Sequence, residues 1–308
     1  MKKLPENAII YRPEEGMEIT GAVQIVHGMT EHQLRYSHFA KYLASNGIIV
    51  VTSDLRGHGE NVNREEELGY FGDNAAANLV GDVHEITLCI KNEFPDVPYF
   101  IYAHSMGTLV STTYLKKYDS FLDGIFLSGM PCKNSAAGLG IKLVNILSTF
   151  NGEYYRSDFV DSIVIGAFAG KFKREGSPYA WLSTDPEVWK KYDEDPKCGF
   201  VFTLNGYKTL LELMQSAHKY GSWAMKNPDM PVRLFAGSDD PCAGGKRKFS
   251  KTVKMFKQAG YTNIESTLFE GFRHELHNEP VKDELFAYVV KEIKQCSNKA
   301  LKSPEQAH

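Results

Sequence analysis

The chain reads as an α/β fold, a mostly parallel central sheet flanked by helices with a helical cap inserted into it. Three observations predict this. Short apolar runs rich in β-branched residues recur along the 308 residues, helical patterns lie between them, and the alternation lapses from 131 to 230.

The first run is AVQIV at 22–26 and the second IIVV at 48–51. Leu79, Val83, Ile86 and Ile90 then step by 4, 3 and 4, which puts them on one face of a helix that ends near Phe94 and Pro95 and covers the sheet. YFIYA at 99–103 and GIFLS at 124–128 complete a first core segment, 1–130. The segment 131–230 carries the apolar helical stretches IKLVNIL, FVDSIVIGAFAGKF and KTLLELMQ, all three tryptophans and little strand signal. A structureless loop of that length would be improbable, so this segment is expected to be a helical cap. VRLFA at 232–236 and IESTLF at 264–269 return to the sheet in a second core segment, 231–296, and the polar tail 297–308 is expected to fray.

Composition excludes several classes. With 43% hydrophobic and 24% charged residues the chain sits near the globular average, which rules out wholesale disorder, collagen-like and coiled-coil readings. A net charge of −3 supplies no field for a nucleic-acid backbone or an anionic membrane. Six basic residues lie between Lys246 and Lys257, but Phe249, Val253 and Phe256 fall at i, i+4 and i+7, so the lysines read as the solvated side of an amphipathic helix. The five cysteines, at 89, 132, 198, 242 and 296, form no CxxC pair for zinc or redox work. The opening MKKLPENAII has no apolar leader core and no run approaches the ~18 apolar residues of a membrane span, so the expectation is a cytoplasmic protein with no transmembrane segment.

The chemistry centres on Ala103-His104-Ser105-Met106-Gly107, which follows a strand and opens a helix. A strand-turn-helix elbow holds a serine at a strained tip while small neighbours let the turn close. The usual pattern is GxSxG, and Ala103 keeps the first position small. A serine hydroxyl needs an imidazole to take its proton, and the imidazole needs a carboxylate to fix its tautomer, in the chain order Ser, acid, His. After Ser105 come His218, His274, His277 and His308. His308 ends a polar tail, and His218 lies in a cap helix, where a half-exposed structural histidine is expected. His274 follows the strand IESTLF at the sheet edge that carries the elbow and is preferred to His277, expected inside the next helix. After VRLFA the chain reads Gly237-Ser238-Asp239-Asp240-Pro241. Asp240 takes the loop apex, and Asp239 caps the turn or faces solvent.

Two N–H donors are expected to receive charge on the substrate carbonyl oxygen: Met106, just after the nucleophile, and Met29, in the loop His27-Gly28-Met29-Thr30-Glu31-His32 after the first central strand. His27 and His32 read as loop-building side chains, since the sequence suggests no third metal ligand nearby. His274-Glu275-Leu276-His277 is one residue short of HExxH, and the glycines of Asp54-Leu55-Arg56-Gly57-His58-Gly59 suit a tight turn with no GK[ST] for a phosphate cradle. Neither a metal nor a cofactor is expected.

HGMTEHQLRY, DLRGHG, AHSMGT, GSDDP and EGFRHELHNE, in that order over roughly residues 20–290, resemble the monoglyceride lipase and lysophospholipase group of α/β-hydrolases, often grouped with serine aminopeptidase-type hydrolases. The resemblance implies the α/β-hydrolase fold, Ser105 as nucleophile, Asp240 as acid, His274 as base and Met29 and Met106 as oxyanion donors. It implies a carboxylic-ester hydrolase acting on a small-molecule acyl ester, a monoacylglycerol or lysophospholipid drawn from a membrane, by way of an acyl-enzyme. Amide or peptide hydrolysis, small-ester hydrolysis and a non-catalytic binding protein on the same fold are the alternatives. WLSTD at 181–185 and DPKCGFVFT at 195–203 resemble bacterial members without fixing a substrate.

Overall fold

The computed structural model describes residues 3–302. Seven strands form one sheet: β1 (Ile9–Tyr11), β2 (Gly21–Val26), β3 (Ile48–Thr52), β4 (Tyr99–His104), β5 (Gly124–Ser128), β6 (Val232–Gly237) and β7 (Ile264–Phe269). Their spatial order is β1-β3-β2-β4-β5-β6-β7, and every neighbouring pair is parallel except β1 with β3. The six predicted runs are β2 to β7, and β1 is an addition. It is three half-buried residues on an edge, too short to leave a period in the sequence.

Strands β2 to β6 are buried along their whole length, as expected where helices cover both faces. Successive side chains go to opposite faces: Ala22 and Val26 join one hydrophobic cluster, Val23 and Ile25 the other. The first face is covered by α2 (Ala75–Glu93), α3 (Met106–Tyr118) and α9 (Gly245–Ala259), the second by α1 (Ser37–Ala44) and α10 (Lys282–Lys302). Leu79, Val83, Ile86 and Ile90 of α2 are all buried, the stripe their spacing predicts. α10 runs past 296 to Lys302, because the sequence offers no helix breaker before Pro304; the remainder of the expected tail, 303–308, lies outside the described residues.

Between β5 and β6 the chain forms α4 (Ala137–Asn151), α5 (Asp158–Val164), α6 (Gly166–Gly170), α7 (Pro186–Glu194) and α8 (Leu204–Ala217), with no named strand among the described residues. Capping explains three starts: Ser157 accepts from Val160 N–H, Asp185 accepts from Glu187 N–H ahead of Pro186, and Thr203 accepts from Gly206 N–H. Thr203 also donates its hydroxyl to Gly69 carbonyl at 2.7 Å and Asn205 receives Phe71 N–H at 2.9 Å, which ties the start of α8 to the loop before α2. Among the described residues no helix is long and apolar enough to cross a membrane.

Candidate active site

Ser105 joins β4 to α3 with φ 49° and ψ −119°, a conformation that costs a non-glycine residue about 1–3 kcal/mol and persists only where the surroundings over-determine it. They do so here. Ser105 N–H donates to Ser128 carbonyl at 3.0 Å, across to β5, and its carbonyl accepts from Thr108 N–H at 2.9 Å and Thr108 hydroxyl at 2.6 Å. A side chain at Gly107 would collide with the Val26 and His27 carbonyls, so only glycine lets α3 start so close to β2. Ala103, where the pattern has glycine, is fully buried.

His274 Nδ1 lies 3.0 Å from Asp240 Oδ2, with both residues 1% exposed. The carboxylate accepts the Nδ1 proton and leaves Nε2 as the basic nitrogen, which has no hydrogen-bond partner among the described residues, and His274 borders a pocket that Ser105 also lines. The second Asp240 oxygen accepts Cys242 N–H at 2.7 Å. Burial pushes the His274 pKa down, and the Asp240 charge and hydrogen bond outweigh it, so the ring is held above its ordinary value. Gly129, at φ 63°, leaves room for this imidazole: an added Cβ would stand 3.0 Å from two of its ring atoms. Asp239 turns away to Lys171 at 3.2 Å on the surface.

Two histidines differ from expectation. His277 is not in a helix, since α10 begins at Lys282; it is buried in the preceding turn with its ring stacked 4.4 Å from Tyr36. His218 is buried rather than half-exposed, because the end of α8 packs on the loop after β5 and His218 Nε2 meets Pro131 carbonyl at 2.9 Å.

The loop of Met29 is fixed from several sides. Gly28 N–H donates to Glu31 at 2.5 Å and Thr30 N–H to His58 Nε2 at 3.1 Å, whereas Met29 N–H has no recorded acceptor among the described residues. Thr30 carbonyl accepts from Tyr192 hydroxyl at 2.7 Å and from Gly199 N–H at 3.0 Å. Met106, the first residue of α3, presents one of the N–H groups a helix start leaves free. His27 builds this loop as predicted: its Nε2 accepts from Leu55 N–H at 2.9 Å, which puts the proton on Nδ1, 2.8 Å from Gly28 carbonyl. Burial lowers the pKa of His27, and that of His58 well below the ordinary value, so both rings stay neutral.

Arg35 and Glu275 are site-building residues that motif reading passed over. Arg35 bonds both Glu275 oxygens at 2.6 Å and Glu31 at 2.7 Å, linking the Met29 loop to the residue after His274. The signal available was charge: three ionisable residues in segments whose neighbours are buried need one another.

His32 also acquires partners that the sequence did not suggest. Its Nε2 meets Asp195 Oδ2 at 2.8 Å, and a donor atom of Cys198 completes a trio within 4.8 Å. Chain folding brings these together from 163 residues away, which is why the local spacing is silent. Asp240, Cys242 and His274 form a second such trio. The direct His32–Asp195 and His274–Asp240 contacts already satisfy both carboxylates without an ion.

Two cavities meet at Ser105. The larger, about 1150 Å³, takes in Met29, Ser105 and Met106 and runs between apolar side chains such as Leu143, Val160, Leu210 and Met214. The smaller, about 130 Å³, is lined in part by Thr30, Glu31, Tyr179, Tyr192 and His274. Trp181 borders both, its ring 4.9 Å from that of His274. The arrangement brings a buried imidazole–carboxylate pair, a serine in a strained turn and an apolar cavity together.

A family model described as serine aminopeptidase, S33, matches residues 17–281. The monoacylglycerol lipase of Mycolicibacterium smegmatis is 25% identical over 278 residues, 89% of each chain. An uncharacterized abhydrolase domain-containing protein of Dictyostelium discoideum is 27% identical over 282 residues, 89% of this chain, but the match spans only 26% of that relative's length. Among solved structures, a lipase in an open form superimposes with a TM-score of 0.85 at 24% identity, over 96% of this chain and 98% of its own, a likeness of α/β-hydrolase fold.

Proposed function

The chain belongs to the serine aminopeptidase S33 family, and from that premise we propose that it is a serine hydrolase cleaving carboxylic esters of a single acyl chain, of the monoacylglycerol or lysophospholipid type. The observation that carries the reading is the buried His274–Asp240 pair beside a strained Ser105 that lines a large apolar cavity. His274 takes the Ser105 proton as the hydroxyl oxygen attacks the ester carbonyl, and Met29 and Met106 N–H groups receive the negative oxygen. Collapse breaks the bond to the alcohol, which leaves with the proton from His274, and the acyl group stays on Ser105. Water, deprotonated by His274, then releases the acid and returns the proton to Ser105.

The two cavities divide the substrate. The larger suits the acyl chain, each methylene of which gains up to about 0.8 kcal/mol by leaving water. The smaller, bordered by Thr30, Tyr179 and Tyr192 and small in volume, suits the alcohol. In this reading residues 131–230 are a cap that supplies most of the chain-binding wall. The family's description favours a second reading, hydrolysis of an aminoacyl amide. The carboxylates bordering the small pocket are engaged: Glu31 and Glu275 with Arg35, and Asp161 with Tyr207. That engagement weakens the amine-binding role this reading needs.

Labelling with a fluorophosphonate probe, followed by kcat/KM on monoacylglycerols, lysophospholipids, short acyl esters and aminoacyl anilides, tests the reading. Labelling at Ser105 with the single-chain esters fastest supports it. A chain that does not label, or for which the anilides are fastest, overturns it.

A further inference from the structure

The lysines of α9 that sequence periodicity assigns to a solvated face have a second environment. Lys248, Lys251 and Lys254 are exposed, yet they line the large cavity that begins at Ser105, and Lys133, from the loop after β5, joins them. No aspartate or glutamate lines that cavity, although the chain as a whole carries more acidic than basic residues. Among the described residues none of the four lysines is in an ion pair. An ordinary solvated helix face mixes both signs and neutralises itself; here four exposed like charges border an apolar space whose lining holds no counter-charge, and their combined positive field favours an anion there.

We infer that the acyl chain admitted to this cavity carries an anionic group, a carboxylate or phosphate, at its end remote from the ester. The apolar wall takes the methylenes, the exposed lysine heads take the charge at the solvent-facing part of the cavity, and the ester reaches Ser105. The same positive field disfavours a substrate that brings an ammonium group into this cavity. The inference rests on the acyl-chain reading of the large cavity and narrows its substrate class.

The test compares two esters of equal chain length on the full-length protein: a p-nitrophenyl alkanoate and the mono-p-nitrophenyl ester of the matching dicarboxylic acid. The wild type is expected to prefer the anionic half-ester in kcat/KM, with the preference shrinking as salt is added. Replacing Lys248→Gln, Lys251→Gln and Lys254→Gln together is expected to lower the anionic-to-neutral ratio on the order of tenfold, since each exposed charge contributes modestly. A ratio equal in wild type and triple variant overturns the inference. Failure of the wild type to turn over either ester would instead remove the ester-hydrolase reading. In that case equilibrium binding of dodecanedioic acid monomethyl ester against methyl dodecanoate decides separately: tighter binding of the anionic ligand, lost in the triple variant, supports the anion site, and equal binding overturns it.

Discussion

Arg35 holds Glu275 with two parallel hydrogen bonds of 2.6 Å and, through Glu31, joins the loop of Met29 to the loop of His274. The guanidinium also bonds Glu31 and sits 4.8 Å over the Tyr192 ring. Burial alone would lower its pKa, but the Glu275 and Glu31 charges hold it well above the ordinary value. Arg35→Leu strands two buried carboxylates, which is expected to cost about 3–5 kcal/mol and to lower the melting temperature by roughly 10 °C. Arg35→Lys keeps a charge without the two-pronged geometry and should fall between. Melting within a degree of wild type for Arg35→Leu would mean the network does not stabilise the fold.

Ser105 presents a conflict between conformation and chemistry. Its φ of 49° suits glycine, yet the proposed reaction needs a hydroxyl there. Ser105→Gly is therefore expected to be inactive but more stable than Ser105→Ala by about 1 kcal/mol, as alanine keeps the steric cost and glycine removes it. Urea unfolding of both variants, with fluorophosphonate labelling as the activity control, measures this. Equal midpoints would show that the surroundings, not the residue's own preference, set the backbone there.

The order of the fold was legible because it rests on local pattern. Six of seven strands and the buried stripe of α2 declare themselves through apolar runs and a 3.6 period, and β1 escaped because three edge residues carry no period. The strained turn at Ser105 was legible from its elbow pattern, and the Asp240–His274 contact from chain order after strands. Long-range partners were not. The His32–Asp195 contact spans 163 residues and Arg35–Glu275 spans 240, distances at which no spacing rule operates. The lysines of α9 illustrate a third case: the helix period assigned their face correctly, but the cavity beside that face exists only once α4, α5 and α8 fold over it.

The large cavity should impose a chain-length profile on neutral esters, rising as methylenes are buried and ending where the space ends. Met214 of α8 lines it. Met214→Trp is expected to fill part of the volume and cut kcat/KM for long-chain esters on the order of tenfold or more, while acetyl ester turnover stays within about threefold, because an acetyl group never reaches the wall. A wild-type profile that is flat from acetyl to dodecanoyl, or a Met214→Trp variant that slows all chain lengths equally, would mean the acyl chain lies elsewhere.

In the proposed mechanism the pairing of Asp240 with His274 sets both the rate and its pH dependence. Asp240→Asn removes the acceptor of the Nδ1 proton and should lower kcat about 10⁴-fold, whereas Asp239→Asn loses only an exposed contact to Lys171 and should keep at least about a tenth of the wild-type rate. The imidazole must be neutral to act as base, and it is held above its ordinary 6.5, so kcat/KM of the wild type should rise with pH through a group above 6.5. In Asp240→Asn the largest raising charge is gone and burial is opposed only by the Glu275 and Glu31 charges, so the residual activity should rise through a group at lower pH than in the wild type. Stability carries the same sign. A folded pKa above the unfolded one means protonated His274 stabilises the native state below pH 6.5, and this contribution is lost as pH rises through the folded value. Urea midpoints of wild type and Asp240→Asn, compared on either side of that window, should therefore differ most on the acidic side. An acidic limb that does not move in Asp240→Asn, or a crippled Asp239→Asn, would assign the carboxylate to the neighbouring residue.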